Sequence, residues 1–201
     1  MFINISSDQI YLSDGKRSEH LARNGVENML GPLLIQWQKA IPFKEVFLLN
    51  GPWWFTNLRV GTLMLNTWNL IGEPKLQIYD VDKLRVYAHL VQTGFLPPKG
   101  IIYLGQKHNV WLVDFSKDPS DRAYCSTIHQ SQFPEEDYFL DEVYDDTYWQ
   151  AGQEKMLHFV QEEDQLLVSF QWKNHPLTPE ALGLTPVQHV EAKYMIEPVV
   201  N

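Results

Sequence analysis

The sequence predicts an α/β protein in which a mixed sheet carries helices on its faces. Three observations predict it. Short apolar segments at 2–5, 10–12, 46–49 and 76–79 have strand length and are bounded by turn residues. Val26, Met29, Leu30, Leu33, Leu34, Trp37 and Ile41 recur at steps of three and four, the period of one helix face. The order strand–strand–strand–helix–strand–helix, with a shorter echo after residue 100, matches that architecture.

Each element has a local reason. Ser6-Ser7-Asp8-Gln9 turns the first strand into the second, and Ser13-Asp14-Gly15-Lys16 turns again into a third strand over 17–22. Asn24 with Glu27 three residues on predicts a capped helix start. Pro32 sits inside that helix, where it removes a backbone bond and predicts a bend. The apolar run 46–49 reads as a buried strand, followed by the Gly51-Pro52 turn and a helix from about 56 to 71. In that helix Phe55, Leu58, Leu65, Trp68 and Ile71 lie along one side, while Leu63, Met64 and Leu70 cover others. A helix apolar on most faces is central or lies at a subunit contact.

Gly72 ends it, 76–79 reads as a strand, and Asp82 caps a helix to Val91. The stretch 94–100, with Pro97-Pro98, predicts a lobe boundary, giving an N-terminal lobe 1–98 and a smaller, acidic lobe 99–201. Beyond it come a hairpin (101–104 and 110–115), a turn-rich acidic stretch (116–150) and strands at 157–160 and 166–172. A short helix begins at Thr178-Pro179-Glu180 and closes at Gly183; the alternation over 190–196 reads as a last strand.

Composition narrows the function classes. With 44% hydrophobic and 13% aromatic residues the chain has a core to bury. No run approaches the roughly 20 apolar residues of a membrane span, and the N-terminus lacks a signal-peptide pattern. The single cysteine, Cys125, leaves no internal disulfide and suits a reducing compartment, so the cytoplasm is the expected location. The net charge of −9 is uneven: residues 1–117 hold 12 Lys/Arg against 9 Asp/Glu, and 118–201 hold 4 against 16. Such a C-terminal half repels phosphate backbones, so no direct nucleic-acid binding and no membrane contact are expected.

Recognisable catalytic chemistry is missing. The seven histidines are scattered, Cys125 has no companion, and neither a G-x-S-x-G elbow nor a Walker loop occurs. No catalytic residue, metal ligand or cofactor is implied. The carboxylates Glu135, Glu136, Asp137, Asp141, Glu142, Asp145 and Asp146 read first as a solvated acidic loop. Binding of a hard cation, or docking of a basic partner beside Tyr138, Phe139 and Tyr144, are the alternatives.

The Gly51 turn is the most informative segment. A strand, a Gly-Pro turn and a helix start aim backbone N–H groups at an anion, yet Trp53 and Trp54 obstruct that place. Gly51-Pro52-x-x-Phe55-Thr56-x-Leu58-Arg59-Val60-Gly61 resembles the GPGSFTGLRIG signature of the TsaB (YeaZ) family, agreeing at seven of eleven positions. The Leu30-Gly31-Pro32-Leu33-Leu34 helix resembles the family's L-L-P-L-I helix. The opening hairpin, 76–87, 101–115 and Lys193-Tyr194-Met195 also have counterparts, whereas 116–185 has none.

The resemblance implies an actin-like (ribonuclease H-like) two-lobed fold and a pseudoenzyme role. The family's members pair with the transferase TsaD in making threonylcarbamoyladenosine in tRNA, and the ATPase TsaE joins that pair. A homodimer in isolation is the other expected association. By resemblance, Leu30, Pro32, Leu33, Leu34, Leu58, Arg59 and Gly61 map to the dimer contact. The apolar surplus of the two helices adds Trp37, Leu65 and Trp68, and Trp53 and Trp54 are expected to plug the turn, to anchor the partner, or to pack on the chain's own core. Trp53, Trp54 and Asn57 replace the family's Gly, Ser and Gly, while Ser6 and Gly105 stand where it has Asp. Loss of those carboxylates argues against phosphoryl transfer. Two alternatives remain: a small ATP-dependent phosphotransferase using Asp8, Asp80 or Asp114, and a homodimeric interaction protein that kept only the fold.

Overall fold

Three antiparallel strands open the chain: β1 (Phe2–Asn4), β2 (Ile10–Ser13) and β3 (Ser18–Leu21). The computed structural model describes residues 1–22, 24–52, 55–103, 105 and 108–193. Helix α1 (Val26–Ala40) crosses to β4 (Glu45–Leu49), which lies parallel to β1. Helix α2 (Phe55–Ile71) then crosses to β5 (Gln77–Val81), parallel to β4, and α3 (Lys83–Gln92) follows. The resulting order, β3-β2-β1-β4-β5, three strands antiparallel and two parallel, is that of an actin-like, ribonuclease H-like lobe.

The echo is visible in the second sheet. β6 (Lys99–Tyr103), β7 (Asn109–Asp114) and β8 (Cys125–His129) form a second antiparallel meander, and β9 (Tyr138–Leu140) returns parallel to β6. The order β8-β7-β6-β9 repeats β3-β2-β1-β4, with a three-residue 3-10 turn, Gln130–Gln132, where the first lobe has α1. A third, antiparallel sheet contains β10 (His158–Glu162), β11 (Gln165–Phe170) and β12 (Lys173–Leu177).

The unbroken apolar run of β4 follows from burial on both faces. Val46 and Leu48 join Ile3, Ile5, Leu30, Leu34, Trp37, Leu58 and Leu65 under α1 and α2. Phe47 and Leu49 point the other way, into a cluster with Tyr87, Trp111, Phe139, Phe159 and Phe170 that reaches into the second and third sheets. Gly61 lets α2 lie against the first lobe's strands, because a Cβ there would press on the Ile5 side chain.

The structure departs from several expectations. Gly25, not Asn24, occupies the start of α1, and no side chain caps it. Pro32, expected to bend α1, lies within it, and the helix continues to Ala40. β12 was not anticipated: Pro176 removes a ladder donor, which an edge strand tolerates, and β12 is an edge. Residues 178–183 form turns rather than a helix. The last predicted strand, 190–196, does not form over its described residues 190–193; the nearby bridge joins Val187 to Ile78, and 194–196 lie outside the described residues. Asp82 does cap α3, accepting the Arg85 N–H at 2.9 Å.

Candidate functional site

The ends of β1 and β9 meet across a polar seam between the lobes. From the first lobe, Lys83 at the start of α3 donates to the Ser6 carbonyl at 3.0 Å and to Asp141 Oδ2 at 2.7 Å. Tyr87, one turn further, donates to Asp141 Oδ1 at 2.6 Å. Asn4 Nδ2 reaches Tyr144 Oη at 3.0 Å and Glu142 Oε2 at 3.3 Å. Glu142 Oε1 accepts the Phe159 N–H at 2.9 Å. Asp8 accepts the backbone N–H groups of Tyr144 and Asp145 at 2.7 and 3.1 Å.

This corrects the reading of the acidic segment as a solvated loop. Asp141 and Glu142 are 1% and 3% exposed; Glu135, Glu136, Asp137 and Asp146 are the solvated ones. Burial, the largest cause, pushes the Glu142 carboxyl up to about 8, against the downward pull of the Phe159 N–H and the Tyr144 hydroxyl. Glu142 is therefore largely uncharged at neutral pH. Burial also holds the Tyr87 and Tyr144 phenols well above their ordinary range, reinforced by Asp141 beside Tyr87 and by Glu142 beside Tyr144.

Chemically, the seam is closed by its own bonds. Asp8, Asp141 and Glu142 are all bound by the chain's own donors. Ser6, in place of a family Asp, is buried and donates to Asn4 Oδ1 at 2.8 Å. The other carboxylates weighed for phosphoryl transfer lie apart from the seam's bonds: Asp80 pairs with Lys193 and Asn50, and Asp114 holds Ser116. Among the described residues no group of three or more His, Cys, Asp or Glu side chains is placed to hold a metal ion.

The second feature is the outward face of α2. Phe55, Leu63 and Leu70, spaced by eight and seven residues, line one side and are 61%, 64% and 78% exposed; Ile71 beside them is 77% exposed. A groove of about 460 Å³ runs along the helix start between Phe55, Thr56, Arg59, Val60, Leu63 and Asn66.

The expected partner residues divide on this geometry. Arg59 and Pro32 are exposed and Leu33 is half-buried, so all three remain on the surface. Leu30, Leu34, Trp37, Leu58, Gly61 and Leu65 are buried in the chain's own core and cannot also face a partner. Trp68 is half-buried, its indole N–H bound to the Pro74 carbonyl at 2.9 Å. Trp53 and Trp54 lie outside the described residues. The large apolar side chains that α2 exposes are Phe55, Leu63, Leu70 and Ile71, and α1 exposes Met29 and Ile35.

Sequence reasoning missed Lys83, Tyr87, Asn4 and the inward course of Asp141 and Glu142. One signal was present. A lysine in a helix's first turn opposes the helix dipole, so Lys83 at that position needs a local carboxylate.

No protein-family model matches the chain, and no curated protein sequence matches it. Among solved structures it is similar to YeaZ from Pseudomonas aeruginosa, at 9% identity and a TM-score of 0.42 over 70% of this chain and 74% of that one. It is also similar to an uncharacterized protein with similarity to peptidase YEAZ from Pseudomonas aeruginosa, at 10% identity and a TM-score of 0.39 over 70% and 73%. At such values the fold assignment rests on the strand order itself. No helix among the described residues is long and apolar enough to cross a membrane.

Proposed function

We propose that this chain is a non-catalytic, TsaB-like subunit that binds and supports a TsaD-like transferase in the threonylcarbamoylation of tRNA adenosine. One observation carries the reading. The helix that begins inside the 51–61 signature turns Phe55, Leu63, Leu70 and Ile71 to solvent, and large apolar side chains exposed along one helix are surface that an interaction would cover. Covering each such side chain contributes roughly 1.5–3 kcal/mol, so a few sustain a stable pair.

The self-satisfied seam supports a role without phosphoryl transfer, since its carboxylates already hold Lys83, Tyr87, Asn4 and backbone N–H groups. With a net charge of −9, contact with tRNA falls to the partner, and a TsaE-like ATPase would join the pair rather than bind this chain's cleft.

The test is co-purification from the source cell. The tagged chain is expected to bring down a TsaD-like protein, and a Leu63→Asp/Leu70→Asp variant is expected to lose it while staying folded. Recovery of only a second copy of the chain favours the homodimeric reading, in which the same face pairs with itself. Magnesium-ATP binding tighter than about millimolar by calorimetry would sink the non-catalytic reading.

A further inference from the structure

After Leu184 the chain doubles back along the first lobe, and the way it is held is unusual. Val187 exchanges two backbone hydrogen bonds with Ile78 of β5, at 2.9 and 3.0 Å. Asn69 donates to the Gln188 carbonyl at 2.9 Å. Asn66 grips both backbone groups of Val190, donating to its carbonyl and accepting its N–H, each at 2.8 Å. Asn50 donates to the Glu191 carbonyl at 2.8 Å. Lys193 pairs with Asp80 Oδ2 at 2.8 Å, while Asp80 Oδ1 accepts from Asn50 at 2.9 Å.

This path ends on the Gly51 turn. Gly51 has φ +67, and a Cβ there would run into the Lys193 carbonyl. One segment thus covers the turn with its backbone and neutralises the neighbouring carboxylate with its lysine. We propose that residues 187–193 are a displaceable strap: seated, it closes the Gly51 turn and occupies Asp80; released, it opens both. The inference does not depend on the partner reading.

Three features make the segment displaceable. Its anchors are mostly side-chain amides reading backbone groups, each worth little net of the water bonds it replaces. Its ion pair is partly exposed, with Lys193 37% accessible, and such pairs hold weakly. Among the residues of the segment only Val190 is fully buried, so opening forfeits little core and falls below global unfolding. Release leaves Asp80 beside the turn with Asn50, whose Oδ1 is buried and unpartnered; two oxygen acceptors there suit a cationic group.

Hydrogen exchange on the whole chain tests this, comparing it with an Asn66→Ala/Lys193→Gln variant. The Val187 and Val190 amides are expected to exchange about tenfold faster in the variant, which removes two amide bonds and the ion pair. The Lys83 amide, which donates to the Gly51 carbonyl at 3.0 Å, is expected to accelerate with them. Amides of the β6–β7 ladder are expected to stay unchanged. A chain ended after Leu184 is the second arm, expected to fold and to show the same faster Lys83 exchange. If the variant's strap amides do not accelerate, if Lys83 stays protected, or if every amide accelerates together, the proposal is wrong.

Discussion

The seam between the lobes and the outer face of α2 invert the usual distribution of polarity. Lys83, Asp141 and Glu142 sit inside the molecule, bonded to one another or to backbone. Phe55, Leu63, Leu70 and Ile71 sit outside it. The chain uses its carboxylates to join its lobes, and large apolar side chains lie exposed on α2.

The largest expected effect is at the seam. Asp141→Ala leaves Lys83 buried without its counter-charge and removes the Tyr87 acceptor. Such a loss costs roughly 3–5 kcal/mol, read as a shift in the urea midpoint. A Lys83→Met/Asp141→Leu double variant is expected to cost clearly less than the sum of the singles. Additive losses would mean that the pair is not coupled.

Glu142 gives the next effect, visible against pH. Its carboxyl titrates near 4.5 in the ordinary state and near 8 when folded. The folded protein therefore binds the proton more tightly. This contribution to stability is complete below pH 4.5, declines as pH rises, and is gone above about 8. The decline reaches on the order of 3 kcal/mol by pH 7. Glu142→Gln is expected to flatten that slope between pH 5 and 8; an unchanged slope would place the titration elsewhere.

Gly61→Ala comes third. Its new methyl group presses on Ile5, and overpacking of that kind costs about 1–3 kcal/mol. It separates an internal role for Gly61 from a partner-facing one, since a surface glycine would accept the change with little loss of thermal stability. The smallest effect on stability is at the other pole of the comparison. Leu63→Asp/Leu70→Asp is expected to move stability by no more than about 0.5 kcal/mol per site, yet to abolish partner capture. Trp37→Asp would not serve, because Trp37 lies in the core and a charge there unfolds the chain.

The first lobe was largely legible because its signals are local. Periodicity marked α1 and α2, Asp82 marked the start of α3, and polar turns separated β1, β2 and β3. The seam was not legible, because Asp141 pairs with Lys83 across 58 positions of sequence and nothing near either residue states the pairing. The family resemblance also placed Leu30 and Leu58 at a partner contact. A stripe's spacing tells which residues share a face; only the packed fold tells which face the sheet has already taken. The 116–150 segment misled for a related reason, since a run of carboxylates looks hydrated until the strand before it, β9, carries two of them inside.

Lys83 also bears on how the molecule moves. Its ammonium group is bonded at once to the first lobe's Ser6 and to Asp141 at the end of the second lobe's β9. Opening the halves like a clamshell would part Asp141 from both Lys83 and Tyr87 and leave the buried cation without its counter-charge. The two lobes are therefore riveted together, and a partner docking on α2 would meet a surface already in its final shape.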